Sequence, residues 1–146
     1  MYKDKLKDLT LEQKIDLIMF DQVISLKGIP ELDIPVFHTS DGPHGVRKLD
    51  YVESEDIIGG TVCFPTGSAL GSTWNKDIAF ETGKAIAKDC IKNGISTILG
   101  PGVNMKRTPR CGRNFEYFSE DPCLSGVLGA GYVNGCQSMG DRKSVV

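Results

Sequence analysis

The spacing of apolar residues predicts three helices along the chain. Thr10 and Gln13 form a capping-box pattern ahead of apolar residues at positions i, i+4 and i+7. A longer amphipathic stretch has Asn75 as its N-cap and ends at Asn93-Gly94, a common helix stop. Apolar residues at helical spacing return after Pro122. The predicted helices span about residues 11–20, 75–93 and 122 to between 135 and 140.

Short apolar runs between these helices predict strands. The first run leads directly into a tight polar turn at residues 40–45, and Pro65 leaves the register of the second run open. A charged surface loop is predicted at residues 47–60 and a long loop, of the kind that is usually functional, at 100–121. Strand, helix and strand in this order form a βαβ unit, which favours an α/β fold with a parallel sheet. The predicted strands lie at residues 34–39, 62–65 with 68–70, and 95–99.

Composition narrows the class of protein. The 146 residues carry 17 Lys and Arg against 19 Asp and Glu, which argues against a nucleic-acid binder with a basic face. No apolar run reaches the roughly 20 residues that cross a bilayer, and residues 1–10 do not resemble a secretory signal. We therefore expect a cytoplasmic protein with no nucleic-acid or membrane partner and leave its oligomeric state open. No C-x-x-C pair occurs among the five cysteines, so neither a metal site nor a disulfide framework is indicated.

Two polar loops, residues 40–47 and 112–122, follow predicted strands, where parallel α/β folds bind their ligands. A neutral polyol such as a sugar is held by carboxylates that accept from its hydroxyls and by arginines that donate to them. Asp41 and Arg113 are residues of these types. The alternative is that Asp41 closes a turn before Gly42 and that Arg113 holds its own loop by pairing with Glu116 or Asp121.

Five segments together resemble the N-terminal part of the family-3 glycoside hydrolases, the β-glucosidase and β-xylosidase group. The resemblance runs from about residue 9 to residue 139, and the block 112–122 is its most specific part. It implies an α/β fold that is the N-terminal portion of a (β/α)8 TIM barrel, left incomplete because a full barrel needs about 250 residues. The segments are Ser40-Asp41-Gly42-Pro43-His44-Gly45, Cys63-Phe64-Pro65-Thr66, Leu70-Gly71-Ser72-Thr73-Trp74-Asn75, Leu99-Gly100-Pro101-Gly102-Val103-Asn104 and Gly112-Arg113-Asn114-Phe115-Glu116.

The resemblance also implies roles for individual residues. Asp41 and Arg113 match the family's sugar-binding aspartate and arginine, and Glu116 is expected to support Arg113 as an orienting partner. His44 and Arg47 are expected to be structural residues of the first loop.

The family's reaction uses two carboxyl groups, a nucleophile and an acid/base, and no metal or cofactor. The nucleophile is an aspartate that is commonly followed by tryptophan. The one tryptophan of this sequence, Trp74, follows Thr73, so the sequence contains no Asp-Trp pair. We therefore assign no catalytic residue to this chain and expect the chain alone to be inactive.

The expected function is that of a β-glucosidase-like enzyme, a retaining hydrolase of O-glycosidic bonds in a β-glucoside or oligosaccharide. The alternative is a noncatalytic carbohydrate-binding or interaction module, which would unfold cooperatively and bind glucose without further segments. We assign residues 1–140 to the barrel fragment. Residues 141–146 carry no family pattern, and our hypothesis is that this tail is translated sequencing adapter.

Overall fold

The computed structural model of the chain describes residues 6–22, 25–47 and 61–140. The chain divides into two compact units, Met1–Thr39 and Ser40–Val146. The predicted tail at 141–146 and most of the predicted charged loop, residues 48–60, lie outside the described residues. Among the residues that are described, no helix is long and apolar enough to cross a bilayer.

The first unit begins with helix α1, Leu11–Asp16, which is shorter than predicted. Both hydrogen bonds of the capping box are present, since Thr10 Oγ1 accepts from the Gln13 amide and the Gln13 side chain accepts from the Thr10 amide. The helix ends early because the chain then enters strand β1, Phe20–Gln22, which pairs antiparallel with β2, Ser25–Leu26. This hairpin was not predicted, because its strands are too short to show an alternating pattern.

Strand β3, Phe37–Asp41, starts later and ends later than the predicted strand at 34–39. It starts later because Ile34 is bridged to Ile29 by two backbone hydrogen bonds, of 2.7 and 3.1 Å. Between them lies a 3₁₀ helix, Pro30–Leu32. In the first unit β3 pairs antiparallel with β2, with Ser25 opposite His38. The strand continues into the second unit, so Asp41 stands at the end of a strand and not within the predicted turn.

The second unit opens with a short helix where a strand was predicted. Helix α2 spans Gly67–Gly71, and Thr66 caps it by accepting a hydrogen bond from the Ala69 amide. The prediction of a strand at 62–65 and 68–70 is therefore wrong, since residues 61–66 belong to no strand either, and the predicted βαβ unit lacks its first strand. The apolar residues at 68–70 that suggested a strand belong instead to one turn of helix, from which Leu70 enters the core.

Two long helices form the frame of the second unit and confirm their predictions. Helix α3 spans Lys76–Lys92 and helix α4 spans Pro122–Gln137, capped by Asn75 and Asp121 respectively. A Cβ added at Gly131 would lie 2.8 Å from the Lys76 carbonyl oxygen, and one added at Gly135 would lie 1.9 Å from that of Phe80. The position of closest approach advances by four residues on both helices in the same direction, so α3 and α4 run parallel with their backbones in close contact.

The core of the second unit lies between these helices and the strand that separates them in sequence. Strand β4, Thr97–Leu99, is shorter than the predicted 95–99. The segment between β4 and α4 contains a second 3₁₀ helix, Asn114–Glu116. The largest fully buried side chains of the unit include Ile86, Leu128 and Tyr132. The polar loops at 40–47 and 112–122 both belong to this unit, and the first of them follows β3 directly.

Candidate functional site

The first loop is closed by its own backbone. Ser40 is buried, and its hydroxyl donates to the carbonyl oxygens of Asp41 at 3.0 Å and of Arg47 at 3.1 Å. The Arg47 amide donates to the Asp41 carbonyl at 3.0 Å. Gly42 has φ of +149°, and a Cβ there would lie 1.7 Å from the Gly45 carbonyl oxygen, so the turn requires glycine.

The Asp41 carboxylate is open to solvent at the end of β3. Its side chain is 56% exposed, and Oδ2 lies 3.7 Å from Nη1 of Arg47, whose side chain is also exposed. This separation is too long for a good hydrogen bond, and an exposed pair of this kind contributes little stability. The Asp41 carboxylate therefore keeps lone pairs available to accept hydrogen bonds from a ligand. Arg47 anchors the loop mainly through its main chain.

The second loop brings Arg113 and Glu116 together through the 3₁₀ helix. Arg113 Nε donates to Glu116 Oε1. The Glu116 side chain is 9% exposed, whereas that of Arg113 is 73% exposed. The hydrogen bond and charge of Glu116 raise the pKa of Arg113, and the charge of Asp41 adds to this effect. The predicted alternative pairing of Arg113 with Glu116 is therefore confirmed, while Asp121 instead caps α4.

His44 links the first loop to α2. Its Nε2 accepts a hydrogen bond of 3.0 Å from the Gly67 amide, which requires a neutral ring protonated on Nδ1. Partial burial lowers the pKa of His44, although the nearby Glu116 carboxylate opposes this shift. The ring also lies against Phe115, with centroids 5.6 Å apart. These contacts fit the expected structural role of His44.

The two loops face an open cleft of about 330 Å³. Asp41, His44 and Glu116 line it together with Arg47, Cys63 and Phe115. Arg113 does not line the cleft itself but is fixed to it through Glu116. The structure therefore places the exposed Asp41 carboxylate and Glu116 at one concave surface, with the Arg113 guanidinium bound to Glu116. Carboxylates and a guanidinium are acceptors and donors suited to a neutral polar ligand.

Comparison with known proteins identifies the family of this chain. The model of the glycosyl hydrolase family 3 N-terminal domain matches residues 9–146. The chain belongs to glycosyl hydrolase family 3. An exo-alpha-(1->6)-L-arabinopyranosidase of Bifidobacterium longum is 43% identical to this family 3 chain over 144 residues, covering 95% of the chain and 19% of that enzyme. The thermostable beta-glucosidase B of Acetivibrio thermocellus is 41% identical over 141 residues, covering 94% of the chain and 19% of that enzyme.

A solved structure extends the comparison to the fold. The beta-glucosidase from Kluyveromyces marxianus in complex with glucose superposes with a TM-score of 0.87 at 37% identity, covering 96% of this chain and 16% of that one. The family 3 chain is thus an incomplete portion of the family's α/β barrel, as the resemblance implied. It spans about a fifth of the length of the curated relatives it matches.

Sequence reasoning missed the residues that hold the two loops of this family 3 site together. A Cβ at Gly67 would lie 2.2 Å from the Glu116 carbonyl oxygen, so α2 contacts the second loop directly. Ser68 Oγ donates toward the carbonyl oxygens of Asn114 and Phe115 at 3.1 and 3.3 Å. No local signal could reveal these contacts, since they join segments 46 and 47 residues apart.

Proposed function

We propose that this chain supplies part of the sugar-binding site of a retaining glycoside hydrolase that acts on a terminal β-linked glucose or a related sugar. The observation that carries the proposal is the exposed Asp41 carboxylate beside the Arg113–Glu116 pair at one cleft. Family membership supports hydrolysis of glycosidic bonds, and the names of the relatives, two β-glucosidases and an arabinopyranosidase, support a monosaccharide unit at this cleft.

The three residues have distinct proposed roles. Asp41 accepts hydrogen bonds from sugar hydroxyls, because its carboxylate is 56% exposed and lies 3.7 Å from Arg47, too far for a good hydrogen bond. Arg113 donates to the sugar from its exposed Nη groups, since its Nε is committed to Glu116. Glu116 supports Arg113 by fixing the plane of the guanidinium. Charged partners make such hydrogen bonds about twice as strong as neutral ones.

We further propose that neither Asp41 nor Glu116 is a catalytic group. Double displacement needs a nucleophile and a separate acid/base about 5 to 5.5 Å apart. The Glu116 carboxylate is nearly buried and its Oε1 accepts a hydrogen bond from Arg113, so this group is committed to the guanidinium. The reaction uses no metal or organic cofactor in this proposal, and its catalytic carboxyl groups come from outside these 146 residues.

The first test uses the 146-residue chain with an aryl β-glucoside. We expect no release of the aglycone, because the chain supplies binding groups but no catalytic pair. Release of the aglycone that is faster than in buffer alone and that is abolished by Asp41→Ala would refute this proposal.

The second test asks whether the site residues contribute to catalysis in a complete enzyme. In the segment-swapped enzyme, residues 9–140 of this chain replace the matching segment of the Acetivibrio thermocellus beta-glucosidase B. We expect Asp41→Asn or Arg113→Lys to lower kcat/KM by about 10- to 100-fold, the value of one or two hydrogen bonds to a charged group. Arg47→Lys is the matched control and should change kcat/KM less than about threefold. Equal effects of Asp41→Asn and Arg47→Lys would contradict the assigned roles.

A further inference from the structure

Helix α2 begins with two residues that contact both loops of the cleft. The Gly67 amide donates to His44 Nε2 in the first loop, and the adjacent Ser68 hydroxyl lies against the backbone of the second loop. Gly67 is buried and has no room for a side chain, because the Glu116 carbonyl oxygen occupies that space. The start of α2 therefore fixes the distance between the loop that carries Asp41 and the loop that carries Arg113.

The Ser68 hydroxyl has one orientation that satisfies all of its neighbours. Lys106 Nζ lies 2.6 Å from Ser68 Oγ, and an ammonium group can only donate. Ser68 Oγ must therefore accept from Lys106, which leaves its single proton to point at the carbonyl oxygens of Asn114 and Phe115. Donation from a charged group strengthens and shortens such a contact.

These carbonyl groups belong to the turn that positions the ligand-binding pair. Asn114 and Phe115 lie between Arg113 and Glu116, so the orientation of their peptide planes sets the direction in which both side chains leave the backbone. The turn has only three residues and two backbone hydrogen bonds of its own, from the Glu116 amide to the Arg113 carbonyl at 3.1 Å and from the Tyr117 amide to the Asn114 carbonyl at 3.3 Å. A turn this short needs outside contacts to hold one geometry.

We propose that Ser68, with its hydroxyl oriented by Lys106, is a positioning residue for the Arg113–Glu116 pair. It does not touch the sugar but holds the 3₁₀ turn so that the guanidinium faces the same ligand as Asp41. The positioning of Arg113 by Ser68 does not depend on the proposed function, whereas its expected effect on kcat/KM rests on that function. A displacement of about 1 Å in such a group is enough to lower a rate by about 100-fold.

The structural experiment measures the Arg113 side chain directly. In the 146-residue chain labelled with ¹⁵N-arginine, the Arg113 Nε–H signal is identified by its loss in Arg113→Lys. We expect Ser68→Ala to increase the exchange of this proton with water about fivefold, the effect of losing one ordinary hydrogen bond. Ser68→Thr should restore slow exchange because it keeps the hydroxyl.

Ser72→Ala is the matched control on the same helix. The Ser72 hydroxyl donates to the Ser68 carbonyl at 2.9 Å and, within the described residues, makes no hydrogen bond to the second loop. The Ser72→Ala substitution should leave the exchange of the Arg113 Nε proton unchanged. Lys106→Met should act like Ser68→Ala, since the hydroxyl would lose the donor that orients it. Unchanged exchange in Ser68→Ala, or equal changes in Ser68→Ala and Ser72→Ala, would overturn the proposal.

Kinetics of the segment-swapped enzyme separate this inference from the proposed function. We expect Ser68→Ala to lower kcat/KM about five- to tenfold, Ser68→Thr to recover it and Ser72→Ala to leave it unchanged. If Arg113→Lys lowers kcat/KM but Ser68→Ala does not, the positioning role fails and the sugar-binding site stands. If Ser68→Ala alters the Arg113 signal but Arg113→Lys leaves kcat/KM unchanged, the positioning role stands and the assigned sugar contact fails.

Discussion

The contact between α3 and α4 gives a sharp prediction about stability. Gly135 lies on α4 where the backbone of α3 comes closest, and a Cβ at this position would lie 1.9 Å from the Phe80 carbonyl oxygen. The obstructing atom is backbone, so a side-chain rotation cannot relieve the clash. Gly135→Ala therefore forces the two helices apart.

The size of the effect follows from this distance. Ordinary contact begins at about 3.4 Å, so the helix axes must separate locally by roughly 1.5 Å. Over-packing costs about 1 to 3 kcal/mol, and a clash with backbone that also loosens the buried Ile86 and Tyr132 belongs at the upper end, about 3 kcal/mol. Alanine regains about 1 kcal/mol through its higher helix propensity. We expect a net loss of about 2 kcal/mol in the free energy of unfolding.

Gly126 on the same helix is the matched control. No atom lies within 4 Å of a Cβ built there, so Gly126→Ala should stabilise the chain by about 0.5 to 1 kcal/mol. Urea unfolding of the 146-residue chain, followed by far-ultraviolet circular dichroism at low micromolar concentration, should separate the two midpoints by about 1.5 M. A midpoint for Gly135→Ala equal to or above that of Gly126→Ala would refute the close parallel packing of these helices.

Three further predictions concern caps, protonation and a weak buried contact. Burial keeps the pKa of His44 below 6.5, so its stabilising contribution is complete above pH 6.5 and is lost as the pH falls through the lowered pKa; His44→Gln, which cannot titrate, should remove this part of the pH dependence in urea midpoints. Asn75→Ala should cost about 1 kcal/mol of unfolding free energy, whereas Asn75→Asp, which keeps the cap, should cost much less; an equal loss would contradict the capping role. Tyr132→Phe should cost less than about 1 kcal/mol in the same assay, because its hydroxyl donates to the Pro43 carbonyl over 3.4 Å; a loss of several kcal/mol would show a stronger bond.

The helices that local signals define were predicted well from the sequence. Helix α3 begins after its N-cap Asn75 and ends at Lys92, next to the predicted stop at Asn93-Gly94. Helix α4 begins at Pro122, and proline is favoured in a first turn. Both helices carry their start and stop signals within a few residues of their ends, so one segment of sequence contains the information that fixes them.

The elements that depend on distant partners were predicted poorly. The hairpin of β1 and β2 exists because Phe20 pairs with Leu26, and its strands of three and two residues have too few positions to show a period. Helix α2 was interpreted as a strand because its apolar run is equally compatible with either state. The helical state of this segment is favoured by the Thr66 cap and by contact with the Glu116 backbone, which is remote in sequence.

The candidate site shows the same difference between contacts that are local in sequence and contacts between distant segments. The pairing of Arg113 with Glu116 was predicted as one of two options, Glu116 or Asp121, because both carboxylates lie close to Arg113 in sequence. The approach of Asp41 to this pair was expected from the position of both loops after predicted strands and from the resemblance to a family, since no local pattern joins residues so far apart. Ser68 and Lys106 could not be found at all from the sequence, because their importance lies in a hydroxyl whose direction only the assembled loops determine.

Arg113 has a role in the fold and a proposed role in sugar recognition, because it pairs with the buried Glu116. A carboxylate that is 9% exposed is costly unless a cation compensates it, and within the described part of the chain Arg113 fills that role. The same guanidinium keeps its other donors in solvent, where a ligand can reach them. Removing Arg113 altogether would thus leave a buried charge unpaired and disturb the fold, whereas lysine keeps the charge and loses the planar donor. Because our proposal gives both tasks to one side chain, the effect of Arg113→Lys on kcat/KM tests recognition, and any additional effect of Arg113→Ala reports the burial of Glu116.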